Sequence, residues 1–151
     1  DQSAAAWKRL AQRTVTVTKG WSEAYNLFLQ GEADYVLSYT TSPAYHLVAE
    51  NDDRYRAAQF AEGHVAQIEV AGISRFSRQP DLARRFLAFL ISPAAQEILP
   101  VTNWMLPVID GVKLPAAFAG LPQPQRLPID ADDAAARREA WIRNWRSAVV
   151  Q

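Results

Sequence analysis

An α/β fold is what this sequence predicts, on three observations. Residues 14–18 read Thr-Val-Thr-Val-Thr, a strict alternation of β-branched side chains that suits a strand with one buried face. A helical pattern follows at once and residues 35–39 offer a second short strand, the spacing of a βαβ unit. Further on, residues 80–90 carry apolar side chains at the period of an amphipathic helix.

The elements follow in order. Ala4, Ala5, Ala6, Trp7, Leu10 and Ala11 form the end of a helical pattern, so a helix that begins earlier is expected and the chain reads as a C-terminal piece of something longer. After the first strand, Lys19-Gly20 breaks the pattern. Ser22 is the expected cap of a helix running to about residue 30, with Ala24, Leu27 and Phe28 on its buried stripe and Gly31 as its stop. Thr40-Thr41-Ser42-Pro43 is a polar turn whose proline opens the next helix, which residues 45–50 continue. Asn51-Asp52-Asp53 is a loop. Residues 55–60 and 65–73 read as strands separated by Glu62-Gly63. Pro80 opens the amphipathic helix, with Leu82, Phe86, Phe89 and Leu90 on its buried face and Arg84 and Arg85 turned away. Pro93 starts a further short helix over 94–99, and 100–128 is a proline-rich, irregular connection. Residues 130–133 begin the last helix, where Ala136, Ala140, Trp141 and Trp145 recur at helical spacing. Its acidic start and the basic Arg143 and Arg146 near its end suit the helix dipole.

With 151 residues, 49% of them hydrophobic, the chain is long enough for a sizeable core. Sixteen basic and 16 acidic side chains cancel, which argues against nucleic acid as a partner. No stretch approaches the about 20 apolar residues of a membrane span. The absence of cysteine excludes disulfides, thiolate metal sites and a cysteine nucleophile, and fits an oxidising compartment. Residues 1–10 lack the basic start and apolar run of a signal peptide.

Groups for catalysis are sparse. His46 and His64 are the two histidines, and no nucleophile-elbow, phosphate-loop or dinucleotide-binding glycine pattern occurs. His46, three residues past a proline, is expected as a surface or capping group, and His64 at a strand start as structural. Two isolated histidines and scattered carboxylates give no metal-ligand spacing. The stronger signal is aromatic. Trp21 follows the first strand, Tyr39 ends the second, Tyr45 lies past the polar turn, and Trp104 sits in the irregular Asn103-Trp104-Met105 segment. Ligands of open α/β sheets bind at the carboxyl ends of strands, and aromatic faces stack on planar rings and attract cations. Any one of these aromatics could equally fill a core. Two at successive strand ends, followed by Thr40, Thr41 and Ser42, favour a ligand site. The three hydroxyls, Lys19 and the N–H groups at Gly20-Trp21-Ser22 could hold a phosphate or hydroxyl, although such residues are also ordinary turn and capping chemistry.

Residues 14–25, Thr-Val-Thr-Val-Thr-Lys-Gly-Trp-Ser-Glu-Ala-Tyr, and 37–46, Leu-Ser-Tyr-Thr-Thr-Ser-Pro-Ala-Tyr-His, closely resemble the thiamine-binding proteins of bacterial uptake transporters. Asn103-Trp104-Met105 with Pro107-Val108, and the Ala140-Trp141-Ile142 helix, extend the resemblance over nearly the whole chain in order. Ferric-binding relatives carry neighbouring tyrosines near the position of Tyr39. Thr40 follows here, so that metal site is absent.

The resemblance implies a two-lobed α/β receptor of the type II periplasmic-binding-protein kind, with the ligand between its lobes and no catalytic role. It implies capture of thiamine, thiamine phosphate or thiamine diphosphate as a transported ligand, with no cofactor and no metal. It further implies a periplasmic location and delivery to the membrane permease of an ABC transporter. Carried over position by position, it assigns Trp21, Tyr39, Thr40, Thr41 and Ser42 to the ligand site, with Tyr45 and Trp104 as further aromatic walls. Relative to the family, the first half is missing. With it go an acidic and aromatic part facing the pyrimidine and a serine- and glycine-bearing loop near the phosphate, so that half is an expected partner. By the family's topology, residues 1–64 and 102–151 belong to the second lobe and 65–101 returns to the first. Two other classes stay open. One is an enzyme of thiamine or pyrimidine metabolism on the same scaffold, which would need a positioned nucleophile. The other is a cytosolic ligand-sensing module, which a DNA-binding segment upstream would support.

Overall fold

The computed structural model describes residues 2–149; Asp1, Val150 and Gln151, which end the sequence-derived spans 1–64 and 102–151, lie outside the described residues. The chain forms two compact units, one from residues up to Ser38 together with those from Pro128 onward, the other from Tyr39–Leu127.

In the first unit, α1 (Gln2–Ala11) packs against α7 (Ala131–Val149), where Ala148 is buried. The Asp130 carboxylate accepts a hydrogen bond from the Asp133 N–H at 2.8 Å and caps the start of α7. Ion pairs Asp133–Arg137 (2.6 Å) and Glu139–Arg143 (3.7 Å) run one turn apart along it. The second helix, α2, spans Trp21–Leu29. Its cap is Gly20, not Ser22 as expected: Ser22 lies inside the first turn, and Gly20 precedes it in extended backbone. The Glu23 carboxylate reaches back to accept the Lys19 N–H at 3.1 Å, which satisfies a donor the serine would have served. Ala24, Leu27 and Phe28 are half-buried, while the buried residue of this helix is Tyr25. Gly31 ends it with φ +81°, the left-handed turn glycine adopts without a Cβ penalty, and the Glu32 N–H returns to the Leu27 carbonyl at 3.0 Å.

In the second unit, α3 (Ser42–Tyr45) runs directly into a π-helical turn, His46–Glu50, that Asn51 closes in the left-handed region. Next come α4 (Pro80–Leu90), α5 (Pro93–Gln96), α6 (Leu99–Thr102) and a 3₁₀ turn, Ala116–Phe118, that packs on α3 through buried Phe118. Prolines stand in the first turns of α3 to α6, where a missing N–H costs nothing. His64 N–H donates to the Gln125 carbonyl (2.8 Å) and its carbonyl accepts from Leu127 N–H (2.9 Å), an isolated parallel bridge opposite Arg126. Gly63 makes that approach possible. Its φ is +105°, and a Cβ there would lie 2.5 Å from the Gln125 oxygen.

Two sequence expectations are corrected. The predicted strands at 14–18, 35–39, 55–60 and 65–73 are irregular, and among the described residues no two segments form a ladder, so the α/β class is reduced to its helices. A strand is a pairing and not a conformation of one segment. Leu37 at 91% and Val70 at 90% exposure have nothing alongside to pair with or pack on. The apolar face of α4 is present at the expected period, yet Leu82, Phe86 and Phe89 are exposed and no residue of α4 is buried. Among the described residues nothing covers that face.

Candidate functional site

Trp21, in the first unit, is the first residue of α2. One turn on, Tyr25 stacks against its ring with centroids 4.8 Å apart and planes at 29°. The indole N–H donates to the Ser38 hydroxyl at 3.3 Å. Held by these contacts, the side chain is still 48% exposed.

The remaining candidates belong to the second unit. The Tyr39 carbonyl accepts the Ser42 N–H at 3.1 Å, and the Thr41 carbonyl accepts the Ala44 N–H at 3.0 Å, so residues 39–42 turn directly into α3. Tyr39 is exposed, Thr40 and Ser42 are half-buried and Thr41 is buried. Tyr45 meets Trp104 edge-on, centroids 5.2 Å apart at 81°. Trp104 has φ +56°, a left-handed backbone that costs a non-glycine residue about 1–2 kcal/mol and persists where neighbours enforce it. Those neighbours are visible. The Asn103 amide donates to Glu69 at 3.0 Å. Buried Gln96 donates to the Leu90 carbonyl at 2.7 Å and accepts the Val108 N–H at 2.8 Å, fastening the segment beyond Trp104 to the end of α4.

Behind Tyr45 lies a polar cluster that the residue pattern does not announce. His46 is fully buried, which corrects its expected place as a surface or capping group. The π-turn rotates it inward, where it stacks on Tyr55 with centroids 3.9 Å apart at 29° and lies edge-on to Tyr45 at 5.0 Å. Its Nδ1 is 2.6 Å from a Glu50 carboxylate oxygen. The carboxylate is an acceptor, so that nitrogen carries the hydrogen. The Tyr45 hydroxyl also donates to Glu50, which raises the phenol above its ordinary value. Glu50 is held below the usual carboxylate range, first by the His46 hydrogen bond and then by that of Tyr45. Next to it, Asp52 is pulled down to about 2 by hydrogen bonds from the Arg54 side chain and backbone, and the Arg54 guanidinium lies 5.7 Å from the Tyr55 ring. His64 is structural, as expected: its Nε2 accepts the Phe60 N–H at 3.2 Å beside the bridge.

The sequence reading missed Tyr25, Gln96 and the His46–Glu50–Tyr55 cluster. Only Tyr25 had a signal, its one-turn spacing from Trp21. Two open grooves, each within one unit, contain none of the aromatic candidates: Thr16, Lys19, Glu23 and Gln30 help line one, and Arg78, Leu82 and Phe86 the other. Among the described residues no group of three or more metal-ligating side chains converges, and no helix is long and apolar enough to cross a membrane.

Comparison with known proteins adds to this geometry. Residues 2–100 match the profile of the family described as bacterial extracellular solute-binding protein. The chain is 55% identical over 150 residues to the thiamine-binding periplasmic proteins of Salmonella typhimurium and of Escherichia coli, covering 99% of this chain and 46% of each relative. The protein of that name from Haemophilus influenzae is 43% identical, with 100% of this chain and 46% of the relative covered. A solved structure of a periplasmic thiamin binding protein matches with a TM-score of 0.94 at 54% identity, over 100% of this chain and 48% of that one. The chain therefore spans about half the length of the relatives it matches.

Proposed function

The chain belongs to the bacterial extracellular solute-binding protein family, and from that membership we propose that it forms the second half of a periplasmic receptor for thiamine and its phosphate esters. The observation that carries the ligand class is the edge-on pair Tyr45–Trp104 in the same unit as the hydroxyl-bearing turn at 40–42. Thiamine couples a flat aminopyrimidine to a permanently cationic thiazolium, and its esters add phosphate. Aromatic faces suit the first two, and hydroxyls with free N–H groups suit the third. In this reading Tyr45 and Trp104 contact the rings, as do Trp21 in the first unit and Tyr39. Thr40, Thr41 and Ser42 serve the phosphate end. The 43–55% identity to proteins named for thiamine binding supports the ligand, and supports a receptor over an enzyme. The partners are a first-half segment, which residues 65–101 meet while 1–64 and 102–151 stay in the second lobe, and the membrane permease that accepts the ligand.

Calorimetric titration tests this, with the chain mixed with the first half of the Escherichia coli relative and offered thiamine, the monophosphate or the diphosphate. Sub-micromolar binding is expected, and no binding of any form sinks the proposal. Trp21→Ala should weaken all three forms alike, by roughly 0.5–2 kcal/mol for a lost stacking and cation–π face. Ser42→Ala should weaken the phosphorylated forms more than thiamine; equal losses would remove the turn from the phosphate end.

A further inference from the structure

We propose that Glu50 is a positioning residue that sets the Tyr45 ring edge-on against Trp104. Resting on the reading of Tyr45 as a ligand contact, this deepens that reading by naming what orients the contact. Tyr45 ends α3 and Glu50 ends the π-turn, five residues on. Five residues is the repeat of a π-turn's hydrogen bonds, and here the Asn51 N–H returns to the His46 carbonyl in that pattern. An α-helical continuation would carry residue 50 past residue 45. The widened turn instead brings the carboxylate to the phenol, and π-turns recur at functional sites for such placements.

Glu50 is itself fixed. It takes the hydrogen of His46 Nδ1 at 2.6 Å, and His46 is wholly buried and stacked on Tyr55. The Asp52 N–H and the Asn51 N–H both bind the His46 carbonyl, so the backbone behind the imidazole is pinned as well. A tyrosine ring has two torsions. Packing on His46 at 5.0 Å restrains one side of it, and a hydrogen bond at the para oxygen restrains the far end. With both held, the ring presents its edge to Trp104 without further ordering when a ligand arrives. The charged groups around the phenol are Glu50, which holds it, and Asp52 and Arg54, which pair with each other.

A double-mutant cycle decides it. In the chain mixed with the Escherichia coli first half, Glu50→Ala and Tyr45→Phe should each weaken thiamine roughly fivefold to tenfold, the scale of a charge-assisted hydrogen bond. The double variant should be no weaker than either alone, because both remove the same bond. Losses that multiply mean Glu50 acts on the fold and overturn the proposal. A ligand-free arm separates this from the thiamine reading. Ultraviolet titration of the chain alone, referenced to Tyr45→Phe, should show the Tyr45 phenol returning toward its ordinary value in Glu50→Ala. A phenol unmoved by Glu50→Ala overturns the proposal even if thiamine binds, whereas a moved phenol with no thiamine binding fails only the ligand assignment.

Discussion

Asp52 illustrates how the residues around the site report on pH. Its carboxyl falls from 3.8 to about 2 in the folded chain, chiefly through the Arg54 side chain and then the Arg54 N–H. A depressed carboxyl stabilises the fold above its unfolded value and loses that contribution as pH falls through the folded one. The contribution is therefore whole above 3.8 and gone below about 2. Because Arg54 is largely exposed, solvent screens the pair and the effect is modest. Thermal melts of Asp52→Asn should lie below wild type near neutrality and converge with it between pH 4 and pH 2; a gap that persists at the acid end would contradict this. Among the site residues, those legible from sequence were legible by chemistry: Trp21, the 39–42 turn, Tyr45 and Trp104 are aromatic or hydroxyl-bearing at element ends. Glu50, His46 and Tyr55 were not, because their meeting depends on one π-turn that no residue type announces.

At the scale of elements, helices were legible where local punctuation sets them. Gly31 stops α2, Pro80 opens α4, and Asp130 caps α7, all from bonds that close within a few residues. The strands were legible only as extended, since pairing requires a neighbour that lies far away in sequence or outside it. The one pairing the described residues contain, His64 opposite Arg126, rests on Gly63. Gly63→Ala should cost about 1–3 kcal/mol in denaturant unfolding, because φ +105° and the Gln125 oxygen at 2.5 Å both oppose a Cβ. Gly72 is the control: it has no atom within 4 Å of its notional Cβ, so Gly72→Ala should change stability by under about 0.5 kcal/mol. Equal effects at the two positions would mean the bridge contributes nothing.

For the whole molecule, the exposed apolar side chains matter most. Leu82, Phe86 and Phe89 on α4 form a face that soluble chains rarely leave open. Sedimentation velocity should show self-association of the chain, reduced by Phe86→Lys and by adding the Escherichia coli first half; a monomer at all concentrations would refute this. The first unit carries a different consequence. Its α1 lies at the start of the chain and its partner α7 at the end, with the entire second unit between them. A ribosome delivers α1 first and α7 last, so the 39–127 unit can fold while α1 still waits without its counterpart. Completion of the first unit is thus timed by chain release, and a nascent chain stalled before residue 131 holds a finished second unit beside an unmatched α1 helix.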